Sequence, residues 1–335
     1  MPTIAFLTLH DRVPWLRQTP GGDGQWGDCR FHLNAGIDRA DWLVAYDEIK
    51  EPVRCAVPRS RRVLIVSEPP GMKDYSPQYL NQFGILVSPM RIAGFNGEWL
   101  QDQPALPWFL GLDMASTAPL LPCRFDYHAL RSMPPPPKIP ALSAVISTKS
   151  KLAKHRRRVE FVLALKQHLG DRFRLFGRGF QEIDDKAEAI LPYSHHLVIE
   201  NNDEDSFFTE KLADALLGWS FPLFSGCKDI GRFFDPAALV PVDIESPDAI
   251  ATIDAALRQA PPIEAIAAAR LRLIDHHNVF ALAARISERP APSAVEPPIW
   301  LKPNAYYGKL SRRLRLGWRL LAASVASRLG PRASD

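Results

Sequence analysis

Between Met133 and Pro140 the chain reads MPPPPKIP, and neither a helix nor a central strand can run through it. Proline lacks the amide donor that both ladders need and pushes the residue before it out of helical geometry. A 335-residue chain interrupted there divides into two parts of ordinary domain size. The expected organisation is a first domain over 1–133, a linker over 134–140, a second domain over 141–290, and a proline-rich link and tail over 291–335.

On either side of the run, short apolar stretches alternate with polar ones. Thr3 to Leu9, Trp42 to Tyr46, Arg62 to Ser67 and Gly84 to Ser88 are rich in Val, Ile and Leu and read as buried strands, with Asp74 to Phe83 long enough for a crossover helix. Past the prolines the alternation resumes. Ala141 to Ser147, Phe173 to Phe176, His196 to Ile199 and Pro222 to Phe224 read as strands, and Arg157 to Leu169 and Glu210 to Leu217 as helices. The fold class expected is α/β and GT-B-like, two Rossmann-like domains facing a cleft, with a C-terminal amphipathic helix added. That step is an analogy of fold and carries no chemistry.

The charge is unevenly placed. Eight basic residues against Asp335 alone put +7 on 300–335, which leaves −3 on 1–299 within a whole-chain charge of +4. A nucleic-acid binder would carry its basic excess on the folded body, so that partner is not expected. Cys29, Cys55, Cys123 and Cys227 are scattered without a CxxC pair, which fits reduced thiols and no structural zinc. The opening residues have no basic leader, and no run reaches the ~18 apolar residues of a spanning helix, so a cytoplasmic protein is expected.

The chemistry concentrates where the strand ending at Ile199 gives way to Glu200, Asn201 and Asn202, then to a polar loop, then to Thr209, Glu210 and Lys211 at a helix start. Ligands of α/β sheets bind at such strand ends. Thr209 suits the N-cap and Glu210 the first turn, whereas a lysine there is helped by an anion such as a nucleotide diphosphate. Taken alone, Thr-Glu-Lys reads first as a capped, solvated helix start, and Arg158 as one more solvated residue of the basic run Lys154 to Arg158.

The flanking sequence changes that balance. Glu200-Asn201-Asn202, Phe207-Phe208-Thr209-Glu210-Lys211, Pro222-Leu223-Phe224 and Gly226 follow in order. Upstream stand Ser147-Thr148-Lys149, His155, Arg158, Phe161 and Phe176-Gly177-Arg178-Gly179, and downstream Asp229-Ile230 and Phe233-Phe234. Over about residues 141–245 this resembles the α-1,3/4-fucosyltransferases, glycosyltransferase family ten, of bacterial type. The resemblance implies an inverting transferase that moves fucose from GDP-fucose to a hydroxyl of a glycan or glycolipid, with no cofactor and no metal. It implies that Asn201 and Glu210 hold ribose and donor sugar, that Lys211 contacts phosphate or sugar oxygens, and that Arg158 clamps the pyrophosphate through its planar fork. Phe207 completes the donor set, and Glu210 is counted as catalytic as well. Asn202 and Phe207 stand where the family has Ser and usually Tyr, so a related sugar nucleotide stays open as donor, beside a silent glycan- or nucleotide-binding protein.

In the first half, Arg62 to Ser67 stops at Glu68-Pro69-Pro70-Gly71. A carboxylate held by stiff prolines at a strand end suits a general base, and the family's acceptor-domain glutamate makes Glu68 the expected one. A surface turn glutamate is the plainer reading. Asn81-Gln82-Phe83 and Leu106-Pro107-Trp108-Phe109 resemble bacterial members and are expected on the acceptor side, although Trp108 reads equally as core.

In the tail, Leu310, Leu314, Trp318, Leu321, Val325 and Leu329 fall at helical spacing, with Lys309, Arg312, Arg315 and Arg319 on the other side. Such a helix suits an anionic membrane surface, giving peripheral attachment to a cytoplasmic face, and equally a docked position on the body or on a second protomer of an oligomer.

Overall fold

The computed structural model describes residues 1–68, 73–147, 153–290 and 296–307. The expected helix over Lys309 to Leu329, the residues Pro69, Pro70 and Gly71 after Glu68, and Thr148 and Lys149 lie outside the described residues. Among these residues no helix is long and apolar enough to cross a membrane.

The chain forms two compact units, one from Met1–His10, Asp28–Leu100 and the described part of Ser287–Asp335, the other from Asp11–Gly27 and Gln101–Ile286. The division therefore falls at residue 100, not at the proline run. That run is part of the second unit. Met133 O accepts a hydrogen bond from Trp219 Nε1 (3.0 Å), the Lys138 ammonium donates to the carbonyls of Ile190 and Gly218, and a strand already begins at Ile139. Prolines stop secondary structure locally, but an extended segment can still be fastened along a domain by its carbonyls and neighbouring side chains.

In the first unit the main sheet is built of β1 (Thr3–Thr8), β2 (Cys29–Leu33), β3 (Trp42–Tyr46), β4 (Arg62–Ile65), β5 (Ile85–Ser88) and β6 (Glu98–Gln101), in the order β2-β1-β3-β4-β5-β6, while Val53–Cys55 and Ile299–Leu301 pair apart from it and antiparallel. The ladders β1/β2, β1/β3, β3/β4 and β4/β5 are all parallel. Every residue of β3, β4 and β5 is buried, which is why these strands read as unbroken apolar runs. The crossover helix expected over Asp74 to Phe83 shrinks to a single turn, Pro77–Leu80, capped by Ser76 Oγ, which accepts from Tyr79 N. Gly84 must follow at once, because a Cβ there would lie 2.3 Å from Arg59 O.

In the second unit β7 (Ile139–Val145), β8 (Phe173–Phe176), β9 (Tyr193–Ile199), β10 (Phe221–Ser225) and β11 (Val240–Pro241) form a parallel sheet in the order β8-β7-β9-β10-β11. Its longer helices are α1 (Ala153–Leu169), α2 (Glu210–Leu217), α3 (Ala249–Ala256), α4 (Ile263–His276) and α5 (Val279–Ser287), beside the short helices Tyr127–Ser132 and Ala187–Ile190. Along β9 the side chains alternate between two cores. Leu197 and Ile199 pack with Val162, Leu165 and Ile253, while Val198 packs with Leu212, Leu216 and Leu273. Both faces are thus covered, and the carboxyl ends of the strands are left to hold polar groups.

Candidate active site

The chain leaves β7 through α1 to β8 on one side of it, then crosses to β9 on the other. This reversal makes the carboxyl ends of β7 and β9 the switch point at which open α/β sheets bind ligands. Glu200 follows β9 directly, and its backbone N–H still reaches Ser225 O on β10 at 2.8 Å.

The Glu200 carboxylate is fully buried and collects its donors from the start of α2. Oε1 accepts from Thr209 N (2.7 Å) and from Thr209 Oγ1 (2.9 Å), and Oε2 accepts from Lys211 Nζ (3.1 Å). Thr209 caps the helix as expected, its Oγ1 accepting from Lys211 N and also from Lys211 Nζ at 3.1 Å. Two of the three ammonium protons are engaged in this way, and the side chain keeps a quarter of its exposure. Burial works against the charge on Lys211, but Glu200 and Glu210 outweigh it and raise its pKa above the ordinary lysine value.

Glu210 has the complementary environment. Burial would raise its pKa, yet Lys211 and Lys186 bring it down to about 2, so it is ionised throughout the physiological range. Lys186 Nζ lies 3.4 Å from Glu210 Oε1 and 2.9 Å from Asp214 Oδ2, and stands over the Phe109 ring. Asp214 uses its other oxygen to accept from the amides of Phe109 and Leu110, both at 2.9 Å. Signs alternate through Glu200, Lys211, Glu210, Lys186 and Asp214. The helix start is thereby fixed by charge as well as by packing, with each ion compensated by a neighbour.

The loop between β9 and α2 is pinned at its middle. Ser206, with φ of +63°, is held by Asp229, which accepts from its N–H (2.6 Å) and its Oγ (2.9 Å). Beside the loop opens a pocket of about 510 Å³, lined at the strand ends by Glu200, Asn201, Gly226, Cys227 and Val242, and by Arg158 from α1. Gly226 has no room for a side chain, since a Cβ would come 2.4 Å from the Phe224 ring and 3.0 Å from Glu200 Cγ.

Two donors in this pocket are unused among the described residues. Arg158 gives one N–H to Asn201 Oδ1 at 3.1 Å, while its buried Nε has no partner, and Asn202 Nδ2 is buried and unpaired as well. Burial draws the Arg158 pKa down, only partly offset by the charge of Glu200. A guanidinium with an unmet donor, partly withdrawn from water, is suited to an anionic, acceptor-rich ligand.

Of the site residues expected from sequence, Arg158, Asn201 and Asn202 meet in the pocket. Glu210 and Lys211 form the charged helix start and do not line it. Lys211 instead borders a cavity of about 20 Å³ with Lys186, His196 and Asp214. Phe207 is buried at 2% exposure, and Trp108 belongs to the core with Val198 and Phe208. Asn81 donates to Gly94 O, and Gln82 exchanges two hydrogen bonds with the backbone of Lys302, so both hold chain together. Glu68 lies in the first unit, three residues past β4, and is half-buried. Lys186 was not expected. Its partner Asp214 is 28 residues away, and nothing in the local sequence Asp184-Asp185-Lys186 marks it.

Residues 141–260 match the family model described as glycosyltransferase family 10 (fucosyltransferase) C-term. Over this stretch the chain is similar to glycosyltransferase family 10. The match spans the strand-end motif, the α1 arginine and the pocket, and it marks the protein as a glycosyltransferase. Among solved structures, an alpha1,3-fucosyltransferase with GDP-fucose is similar at 15% identity and a TM-score of 0.43, covering 86% of this chain and 89% of that one. The spinosyn forosaminyltransferase SpnP is similar at 11% identity and a TM-score of 0.39, covering 86% and 98%. The family assignment rests on the match over 141–260 and draws nothing from these two likenesses. A comparison with curated proteins returns no match.

Proposed function

We propose that this glycosyltransferase binds a nucleoside diphosphate sugar, GDP-fucose by the resemblance of its motifs, with the nucleotide in the pocket at the carboxyl ends of β9 and β10 and the sugar end reaching the adjoining start of α2, and transfers the sugar to a hydroxyl of a glycan or glycolipid with inversion. The observation that carries this reading is the Arg158 guanidinium with its unpaired buried Nε beside Asn201 and Asn202. Arg158 clamps the diphosphate, Asn201 holds the ribose, and Glu210 holds the donor sugar. Lys211, kept charged by Glu200, stabilises the negative charge that grows on the leaving diphosphate. Glu68 takes the acceptor proton as the acceptor oxygen attacks the anomeric carbon and the bond from that carbon to the diphosphate breaks.

The test is titration with GDP, UDP and ADP, followed by a turnover panel of GDP-fucose, GDP-mannose and UDP-sugars. GDP is expected to bind and GDP-fucose to turn over. Turnover of another sugar nucleotide would replace the donor, and failure to bind any nucleoside diphosphate would overturn the reading. The basic tail adds a second element on its sequence pattern alone: attachment to anionic membranes, where each basic residue contributes ~1 kcal/mol. Full-length protein that ignores anionic vesicles at low salt would remove it.

A further inference from the structure

Two carboxylates of α2, Glu210 and Asp214, stand one helical turn apart on the same face, where like charges repel. Lys186 lies between them. Its Nζ is 2.9 Å from Asp214 Oδ2 and 3.4 Å from Glu210 Oε1. The lysine comes from outside α2, at the head of the short helix Ala187–Ile190, and the chain there is itself fixed: Asp185 Oδ1 accepts from Ala187 N at 2.7 Å and from Gly111 N at 2.9 Å. The Phe109 ring, its centroid 5.0 Å from Nζ, backs the ammonium. A flexible side chain is thereby held at a set place.

The two arms of this bridge differ. Asp214 is fully buried, and its second oxygen accepts from the amides of Phe109 and Leu110. Burial works against the charge on Lys186, but Asp214 first and Glu210 after it outweigh that penalty. A structural ion pair would be complete with Asp214 alone. The Glu210 side chain, in contrast, keeps 12% of its exposure at the first turn of α2. Lys211, next to it in sequence, does not hold it closely, because that ammonium is committed to Glu200 and Thr209, both at 3.1 Å, and stays 3.8 Å from Glu210 Oε1. Lys186 is the nearer of the two ammoniums, and its second arm fixes where a carboxylate that still meets solvent can point.

We propose that Lys186 is a positioning residue for the donor sugar: it touches no substrate itself, and it holds the Glu210 carboxylate in the orientation from which that group accepts hydrogen bonds from the sugar hydroxyls. The inference rests on the transferase reading, in which Glu210 meets the sugar, and adds the residue that sets it in place. A carboxylate whose rotamer is settled beforehand binds better, because the entropy of ordering it is not then lost on binding.

Removing Lys186 alone would leave Asp214 buried without a counter-charge. The experiment therefore compares Asp214→Asn, whose amide oxygen can still accept from Phe109 and Leu110, with the double variant Asp214→Asn and Lys186→Met, both in the full chain. GDP and GDP-fucose are titrated into each and into the unaltered protein, without acceptor. Relative to Asp214→Asn, the double variant should bind GDP-fucose about tenfold more weakly, the effect of one impaired hydrogen bond to a charged group, and GDP equally well, because GDP carries no sugar for Glu210 to hold. A general loosening of the helix start would weaken both ligands together. GDP-fucose held equally by the single and double variants, or GDP weakened as much as GDP-fucose, overturns the proposal and leaves the nucleotide site in place. An unaltered protein that binds neither ligand overturns the transferase reading and the proposal with it.

Discussion

The large parallel sheet of each unit carries a buried carboxylate at a strand end, Asp47 after β3 in the first and Glu200 after β9 in the second, and the two are held in different ways. Glu200 takes its donors from Thr209 and Lys211, nine and eleven residues on, at the start of a single helix. Asp47 takes its donors from His10 on one side of it in sequence and from Lys73 and Tyr75 on the other, 26 to 37 residues away. The first arrangement leaves a pocket with unmet donors beside it, and the second closes on itself around a left-handed backbone. A strand-end acid thus serves a local helix start in one case and a meeting of distant segments in the other. The family match, over 141–260, covers the first kind.

The largest difference should appear when each acid is removed. Glu200→Ala leaves Lys211 without its main partner inside the second unit, and a broken buried pair typically costs about 3–5 kcal/mol. Asp47→Ala leaves Lys73 with Glu48 as its remaining carboxylate and puts an alanine, which lacks the local side-chain bonds that help Asp, in left-handed geometry. Hydrogen exchange followed segment by segment is expected to show each loss confined to its own sheet. Equal loosening of both sheets by either variant would dissolve the comparison.

Function should divide along the same line. Glu68→Gln, in the first unit, is expected to lower transfer ~10²-fold or more while GDP affinity stays as it was, because the base acts on the acceptor and the nucleotide is held in the second unit. Steady-state rates with parallel GDP titration check this, and undiminished transfer would show that another group takes the proton.

The smallest difference is a matter of pH. In the second unit burial lowers the pKa of His195 to about 4, of His196 to about 3 and of His277 to about 4, each from an ordinary 6.5. These rings are neutral when folded and take protons when unfolded, so stability falls as pH drops from about 6.5 toward 4, by up to ~1.4 kcal/mol per pH unit for each. Glu210, lowered from 4.5 to about 2, removes more below pH 4.5. In the first unit burial would raise the Asp47 pKa, but the bonds from His10 and Lys73 hold it below the usual carboxylate value of 3.8, and its contribution is lost only as pH falls past that value. Acid should therefore open the second unit first. Exchange protection measured between pH 7 and 4 would contradict this if the first sheet opened earlier.

The same contrast explains what could be read from sequence. β3 and α2 were expected with the ends they have, Trp42–Tyr46 and Glu210–Leu217, because one is an unbroken apolar run and the other carries its cap and first-turn acid in the adjoining residues. The Glu200–Thr209–Lys211 triad was legible as a motif because its partners lie within eleven residues. β2 was missed, since Arg30 and His32 interrupt its apolar residues, and α3 to α5 were missed because their many alanines give little contrast between faces. The domain boundary was misplaced because prolines mark where regular structure stops and say nothing about which body the extended chain is fastened to. Lys186 and the Asp47 cluster were invisible because their partners are assembled by the sheet and not by sequence spacing.

The central claim is that the second unit's pocket binds a nucleoside diphosphate through Arg158. Calorimetric titration of GDP into the unaltered protein and into folded Arg158→Ala tests it most directly. Loss of a charge-assisted contact should weaken binding by about 1.5–3 kcal/mol, tenfold to somewhat over a hundredfold in Kd. Equal affinity in the two proteins, or no GDP binding by the unaltered one, would contradict it.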